Sequence, residues 1–208
     1  LGASVFTGIA VAADTERLVA VGSSAIGDAV VFYSDDAGVN WTPSVVTITE
    51  DINEITWGDD TTSGPRFVGV ANTKIIYSAD PSLSWTVAAA PSRNYLDTAF
   101  GADTFAAVTT IANIATYTID AGTSWTETNT GLASTNSYLY GIVYAGTRFV
   151  AVGANSSNNN ERFYRSSDGI TWVFRDPVGI TVGNMHAAAY DGSLYVVAVG
   201  DNGRIWTT

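Results

Sequence analysis

His186 is the only histidine of this 208-residue chain and the natural place to look for proton transfer. A Ser/His/Asp relay also needs a nucleophile on a sharp turn, and no Gly-x-Ser-x-Gly elbow is present. One His and no Cys rule out the usual zinc donor sets, and no stretch has the spacing of an EF-hand loop. The carboxylate pairs Asp35-Asp36 and Asp59-Asp60 offer hard oxygen ligands to Ca²⁺, although exposed pairs of this kind usually solvate a turn. The sequence therefore predicts no metal, no cofactor and no catalytic residue. Arg17, Arg66 and Arg148 are the cations suited to clamping a substrate carboxylate. They recur at one place in a repeat, just before an apolar run, so a common axis would spread them over separate units.

The elements that would position these groups are short apolar runs joined by acidic turns. One turn recurs four times: Ser34-Asp35-Asp36-Ala37-Gly38-Val39-Asn40-Trp41, Ser78-Ala79-Asp80-Pro81-Ser82-Leu83-Ser84-Trp85, Thr118-Ile119-Asp120-Ala121-Gly122-Thr123-Ser124-Trp125 and Ser166-Ser167-Asp168-Gly169-Ile170-Thr171-Trp172. An apolar or aromatic run precedes each copy and a Thr- or Val-led run follows, the pattern of a β-hairpin. The Asp carboxylate can accept backbone N–H groups of the turn, and Gly supplies a left-handed residue at little steric cost. The Trp opens the return strand and is expected to bury its ring. In the second copy Ser82 stands where Gly is otherwise found, beside Pro81, so that turn is expected to take another shape.

These turns resemble the Asp-box, the bacterial neuraminidase repeat of β-propellers such as sialidases, sortilin-type receptors and photosystem assembly factors. The resemblance rests on Ser34, Asp36, Gly38 and Trp41; Ser78, Asp80 and Trp85; Thr118, Asp120, Gly122 and Trp125; and Ser166, Asp168, Gly169 and Trp172. It implies a propeller in which the box is a peripheral hairpin rather than an active site. The closing Trp residues at 41, 85, 125 and 172 are spaced by 44, 40 and 47 residues, which suits a blade of four strands. Between the boxes a second recurrence marks five units, with inner strands at Ile9-Ala10-Val11, Ile55-Thr56-Trp57, Thr98-Ala99-Phe100, Ile142-Val143-Tyr144 and Ala188-Ala189-Tyr190. Each leads to a Val- or Ala-rich second strand. The recurring aromatics Trp57, Phe100, Tyr144 and Tyr190 read as packing between blades.

The expected fold is thus all-β: one domain, a small β-propeller of five blades of about four antiparallel strands. Its units span 8–49, 50–92, 93–136, 137–182 and 183–208, the last completed by 1–7, so that the N- and C-terminal segments share the closing blade. The alternative is that further blades belong to a longer parent. The chain lacks an initiator Met, as a processed or partial chain would.

Residues that break the repeat are better functional candidates than residues that obey it. Asn53, Glu54, Asp97, Tyr140 and His186 fall near the start of successive inner strands and would gather at one mouth of the channel. There they would hold water, or bind a cation, an amine or sugar hydroxyls. The net charge of −11 repels phosphate backbones and anionic membranes, which argues against nucleic acid. No apolar run approaches the roughly 20 residues that cross a bilayer as a helix. Asn40-Trp41-Thr42 and Asn155-Ser156-Ser157 match the N-glycosylation pattern. Few Lys, no Cys and a Thr/Asn-rich composition suggest an extracellular setting or the surface of an assembled particle, such as an adhesin, an appendage or a virion. The expected function is a non-catalytic scaffold or recognition module for a protein partner or a glycan. The alternatives are a glycoside hydrolase of sialidase-like type, or a photosystem-type assembly factor, for which the expected Arg-rich patch is missing.

Overall fold

A computed structural model of the chain describes residues 4–111, 114–129, 137–155, 157, 160–175, 183–193 and 196–207. Those residues form five antiparallel sheets and no α-helix. Blade 1 consists of β1 (Ser4–Val11), β2 (Leu18–Ser24), β3 (Ala29–Ser34) and β4 (Thr42–Pro43). Blade 2 consists of β5 (Ile52–Asp60), β6 (Gly64–Ala71), β7 (Ile75–Ser78) and β8 (Thr86–Val87). Blade 3 holds β9 (Tyr95–Gly101), β10 (Thr104–Thr109), β11 (Ile114–Thr118) and β12 (Thr126–Asn129); blade 4 holds β13 (Ser137–Tyr144), β14 (Phe149–Asn155), β15 (Glu161–Ser166) and β16 (Val173–Arg175). Blade 5 has three strands, β17 (Met185–Tyr190), β18 (Val196–Gly200) and β19 (Arg204–Thr207), with a single 3₁₀ turn over Asp201–Gly203.

The innermost strands pack in series, β1 on β5, β5 on β9, β9 on β13 and β13 on β17. Sheets fanned in this way about their first strands make a five-bladed β-propeller, as the repeat predicts. The apolar cores lie between blades rather than within one. Val19, Val21 and Val31 of blade 1 meet Ile52, Ile55 and Trp85 of blade 2, and Val68, Val70 and Ile75 of blade 2 meet Tyr95, Phe105 and Trp125 of blade 3. Ala106, Val108 and Ala115 then meet Leu139, Ile142 and Trp172, and Val150, Val152 and Phe163 meet Met185 and Val196. Every residue of β10 and of β14 is buried, because a strand between two blades is covered on both faces.

The recurring aromatics are the wedges of these junctions. A Cβ on Gly58 would come within 2.2 Å of the Phe100 ring, and one on Gly101 within 2.1 Å of the Tyr144 ring. Each ring therefore lies flat on the glycine of the blade before it, an approach that only a residue without a side chain permits.

Three of the four acidic turns share one hydrogen-bonded shape. Ser34 Oγ donates to Asp36 Oδ1 (2.8 Å), Asn40 N–H donates to the same oxygen (2.8 Å), and Trp41 Nε1–H donates to Gly38 O (3.0 Å). Thr118, Asp120, Ser124 and Trp125 repeat these bonds, as do Ser166, Asp168, Thr171 and Trp172. Gly38, Gly122 and Gly169 have φ of 87°, 87° and 74°. The second turn departs from this shape, as Ser82 and Pro81 foretell. No residue in it has positive φ, Ser78 Oγ donates to Ser84 O (2.7 Å), and Trp85 Nε1–H turns to Ser44 Oγ of blade 1 (2.9 Å).

The expected sharing of the closing blade is corrected. Ser4, Val5 and Phe6 pair with Ser24, Ser23 and Gly22 inside blade 1, so they extend β1 instead of adding a strand to blade 5. The physical reason is a bulge at Thr7, which lets the inner strand run on past the repeat's apparent start. Among the described residues, no packing like that of the other neighbours joins β17 to β1.

Candidate functional site at the propeller axis

Every inner strand slips register by one residue at the same place: Thr7, Asn53, Leu96, Tyr140 and His186 are the extra residues. Bulges re-aim side chains, and here they aim them at the next blade. Thr7 Oγ1–H donates to Ile52 O (2.5 Å), and Asn53 Nδ2–H donates to Tyr95 O (2.6 Å) and to Asn72 Oδ1 (3.2 Å). Leu96 has no polar group, and the following residue takes over: Asp97 Oδ2 accepts the Ile142 N–H across the junction (2.8 Å), while Oδ1 accepts Thr98 N–H (2.7 Å). At the fourth junction the Tyr140 ring lies 5.7 Å from the His186 ring. His186 closes the series, and its Nε2 pairs with Asp201 Oδ1 of its own blade (2.6 Å).

The axial carboxyls sit in a poorly solvated place. Burial pushes the Asp97 carboxyl up to about 7 against its backbone hydrogen bond from Ile142, and the negative charge of Glu54 adds to the rise. Glu54 is also raised by burial; its Oε1 accepts Ile55 N–H (2.9 Å) and lies over Gly8, where a Cβ would come within 2.3 Å of it. Burial raises the Tyr140 phenol, with the charges of Tyr138 and Asp201 behind it. The His186 hydrogen bond holds Asp201 below the usual carboxylate range, and Asn184 contributes both its N–H and its side-chain amide.

Of the five residues singled out in the sequence, Glu54 lies close enough for its charge to raise Asp97, and Tyr140 and His186 are in ring contact. Asn53 ties blade 2 to blade 3. Among the described residues no hydrogen bond or ion pair joins the two pairs. Three of the four oxygens of these two carboxyls already accept backbone N–H groups, which leaves little for general acid or base work. A concavity of about 440 Å³ is lined by Phe6, Thr7, Gly8, Ile9, Ala20 and Glu54, and so takes in Glu54 but not Asp97, Tyr140 or His186.

Arg17 and Arg66 do not converge. Arg17 pairs with Asp35 and with Asp80 Oδ1 (2.6 Å), bridging the acidic turns of blades 1 and 2. Arg66 lies over the Tyr77 ring at 5.2 Å. Asp60 accepts the N–H groups of Thr62 and Ser63 and so caps its own turn. Among the described residues, no group of three or more His, Cys, Asp or Glu side chains is placed to hold a metal ion. Asn40 is tied to Asp36 Oδ2 through its amide (2.7 Å), and the Asn155 acceptor pattern includes Ser156, which lies outside the described residues. Sequence reading missed Asp201 and Asn184, the partners that orient His186. The Asp201-Asn202-Gly203 turn was the available signal. It also missed Glu161, fully buried at the junction of blades 4 and 5, where Arg204 reaches it at 3.3 Å.

No family model matches the chain, and no protein of curated function matches its sequence. Its likeness is to solved propellers. YCF48 bound to a D1 peptide superposes over 99% of this chain with a TM-score of 0.68 at 13% identity. YCF48 from Cyanidioschyzon merolae does so over 99%, also with a TM-score of 0.68, at 16% identity. The likeness is one of fold. The chain spans 63% and 67% of the lengths of those two proteins. No helix among the described residues is long and apolar enough to cross a membrane.

Proposed function

We propose that the chain is a non-catalytic propeller scaffold that binds a protein partner. The reading is carried by the axial bonding: Thr7, Asn53 and Asp97 spend their polar groups on the backbone of the next inner strand, so the axis works as a seam. The likeness to YCF48 supports a protein partner, because one of those propellers was solved with a peptide bound. The Asp-box resemblance is kept as part of this proposal, since the bonding of three turns is what such a box requires. A setting on the outside of a cell or an assembled particle, with an adhesive role or a glycan as ligand, is the finer form of the proposal. The net charge of −11 and the scarcity of Lys support it.

The chain is expected to bind members of a tiled peptide array and to release no fluorophore from a panel of 4-methylumbelliferyl glycosides. Glycoside release abolished by Glu54→Gln or Asp97→Asn would replace the scaffold with a sialidase-like hydrolase. Binding on a glycan array with none on the peptide array would make it a lectin.

A further inference from the structure

The two ends of the array expose apolar side chains at positions that every internal junction buries. Phe6 of β1 is 53% exposed, whereas its counterparts Ile52, Tyr95, Leu139 and Met185 are each 0% exposed. Ile9 is exposed where Ile55 and Ile142 are buried, and Trp41 where Trp85, Trp125 and Trp172 are buried. Blade 5 mirrors this on its far face. Ile205 lies opposite Val199 in the β18–β19 pair, as Val31 lies opposite Val21 and Ile75 opposite Val70. Ile205 is 68% exposed while Val31 and Ile75 are 2% and 0%, and Val199 is exposed while Val21 and Val70 are fully buried.

These are the two halves of one interface. The first three internal junctions join a face of small and branched aliphatics on one blade to large inner-strand side chains and a turn Trp on the next. Blade 5 carries an uncovered aliphatic half and blade 1 an uncovered aromatic half, with no core between them among the described residues. On the blade 1 side, Phe6 and Ile9 line an open concavity together with Thr7, Gly8, Ala20 and Glu54. Contiguous apolar exposure of this kind marks an interaction surface.

We propose that the gap between blade 5 and blade 1 is a docking surface for further propeller-type β-sheet. One face of the incoming sheet brings an inner-strand aromatic and a turn Trp onto Val199 and Ile205, and the other brings branched aliphatics onto Phe6, Ile9 and Trp41. The proposal goes beyond the scaffold reading, because it concerns the edge of the array and not the seam at its axis. Continuity with the internal junctions names the occupant. The two solved propellers matched along 99% of this chain are longer than it. A second copy of the chain fits less well, since it would bring five blades into a ring that already holds five.

The test uses the full chain, alone and extended at its C-terminus by a copy of its own residues 50–136, which supplies two blades. The 208-residue chain is expected to enhance the fluorescence of an apolar dye such as ANS and to exchange its β1 amides quickly. The extended protein is expected to lose dye binding, protect β1 and melt at a higher temperature, and Trp85→Asp in the appended copy should reverse all three. An extension that leaves dye binding and β1 exchange unchanged overturns the proposal. A second arm needs no fusion: Phe6→Asp with Ile205→Asp in the unextended chain should abolish dye binding without lowering its melting temperature. A lowered melting temperature would mean that these side chains are already covered in solution, which also overturns the proposal. Sedimentation equilibrium then tells closure of the chain on itself from pairing of two copies.

Discussion

Blade 1 and blade 3 carry nearly the same turn in different surroundings. Asp36 and Asp120 accept equivalent bonds, and Ala37-Gly38 and Ala121-Gly122 take the same left-handed path, with φ of 56° and 87° against 53° and 87°. Both Trp residues donate to the turn carbonyl at 3.0 Å. Yet Trp41 is 37% exposed and Trp125 only 5%, because Trp125 packs on Val68, Val70 and Ile75 of blade 2 whereas no sheet among the described residues covers that face of blade 1. The turn is thus a local structure that forms from its own residues. The stability it confers depends on the sheet its Trp covers.

The sharpest test is to remove both rings. Trp125→Ala should cost on the order of 3–5 kcal/mol, while Trp41→Ala should cost clearly less, because its ring is already 37% exposed and has less buried area to lose. Urea titration reads both, and equal losses would mean that blade 1 is covered in solution after all. Trp85→Ala should behave like Trp125→Ala, since its ring is buried in the first junction.

Next in size is a pH effect that blade 3 has and blade 1, with Gly8 in place of Asp97, lacks. Asp97 has its folded pKa raised to about 7 by burial, above the unfolded value of about 3.9. Between those values the unfolded chain has released a proton that the folded chain keeps, so stability falls as pH rises through that window. Asp97→Asn should flatten this slope, a difference on the order of 4 kcal/mol between pH 4 and pH 8. Thermal melts across that range check it, and an unchanged slope would place Asp97 in contact with water.

The turn carboxylates should titrate in the opposite sense. Burial works against the ionised form of Asp120, but the Ser124 hydroxyl and N–H outweigh it and hold the carboxyl below its usual range. Asp36 is lowered too, chiefly by the Asn40 N–H. Their contribution is present at neutral pH and is lost as pH falls below about 3.9, through the depressed folded values. Asp120→Ala should cost about 1–2 kcal/mol at pH 7 and progressively less as acid protonates the carboxyl, and Asp36→Ala should show the same direction of pH dependence, since both turns are local. The smallest effect belongs to Arg17→Ala, which breaks a half-exposed bridge between two turns and should cost about 0.5 kcal/mol. A loss several times larger would make that bridge a main tie between blades 1 and 2.

Much of this was legible beforehand for a physical reason. Turn chemistry is local, so Ser34, Asp36, Gly38 and Trp41 announce their hairpin wherever they stand, and Ser82 with Pro81 announces a different one. The repeat also placed Trp57, Phe100, Tyr144 and Tyr190 at junctions, because one position in every blade meets the same neighbour. The axis was half legible. Thr7, Asn53, Leu96, Tyr140 and His186 align in sequence, but that they are bulges reaching into the next strand emerges only from the register. Asp201 was hidden because its partner His186 lies in another strand of the blade.

The order of residues alone therefore settled which segments are strands, where they turn and how many blades they make, since each of these follows from contacts a few residues apart. Whether a given Trp is core or surface, whether Asp97 is charged at neutral pH and whether the ring is joined depend on which sheet lies across from it. Those contacts come from residues some forty or more positions away in sequence, such as Asp97 and Ile142, and only the packed blades bring them together.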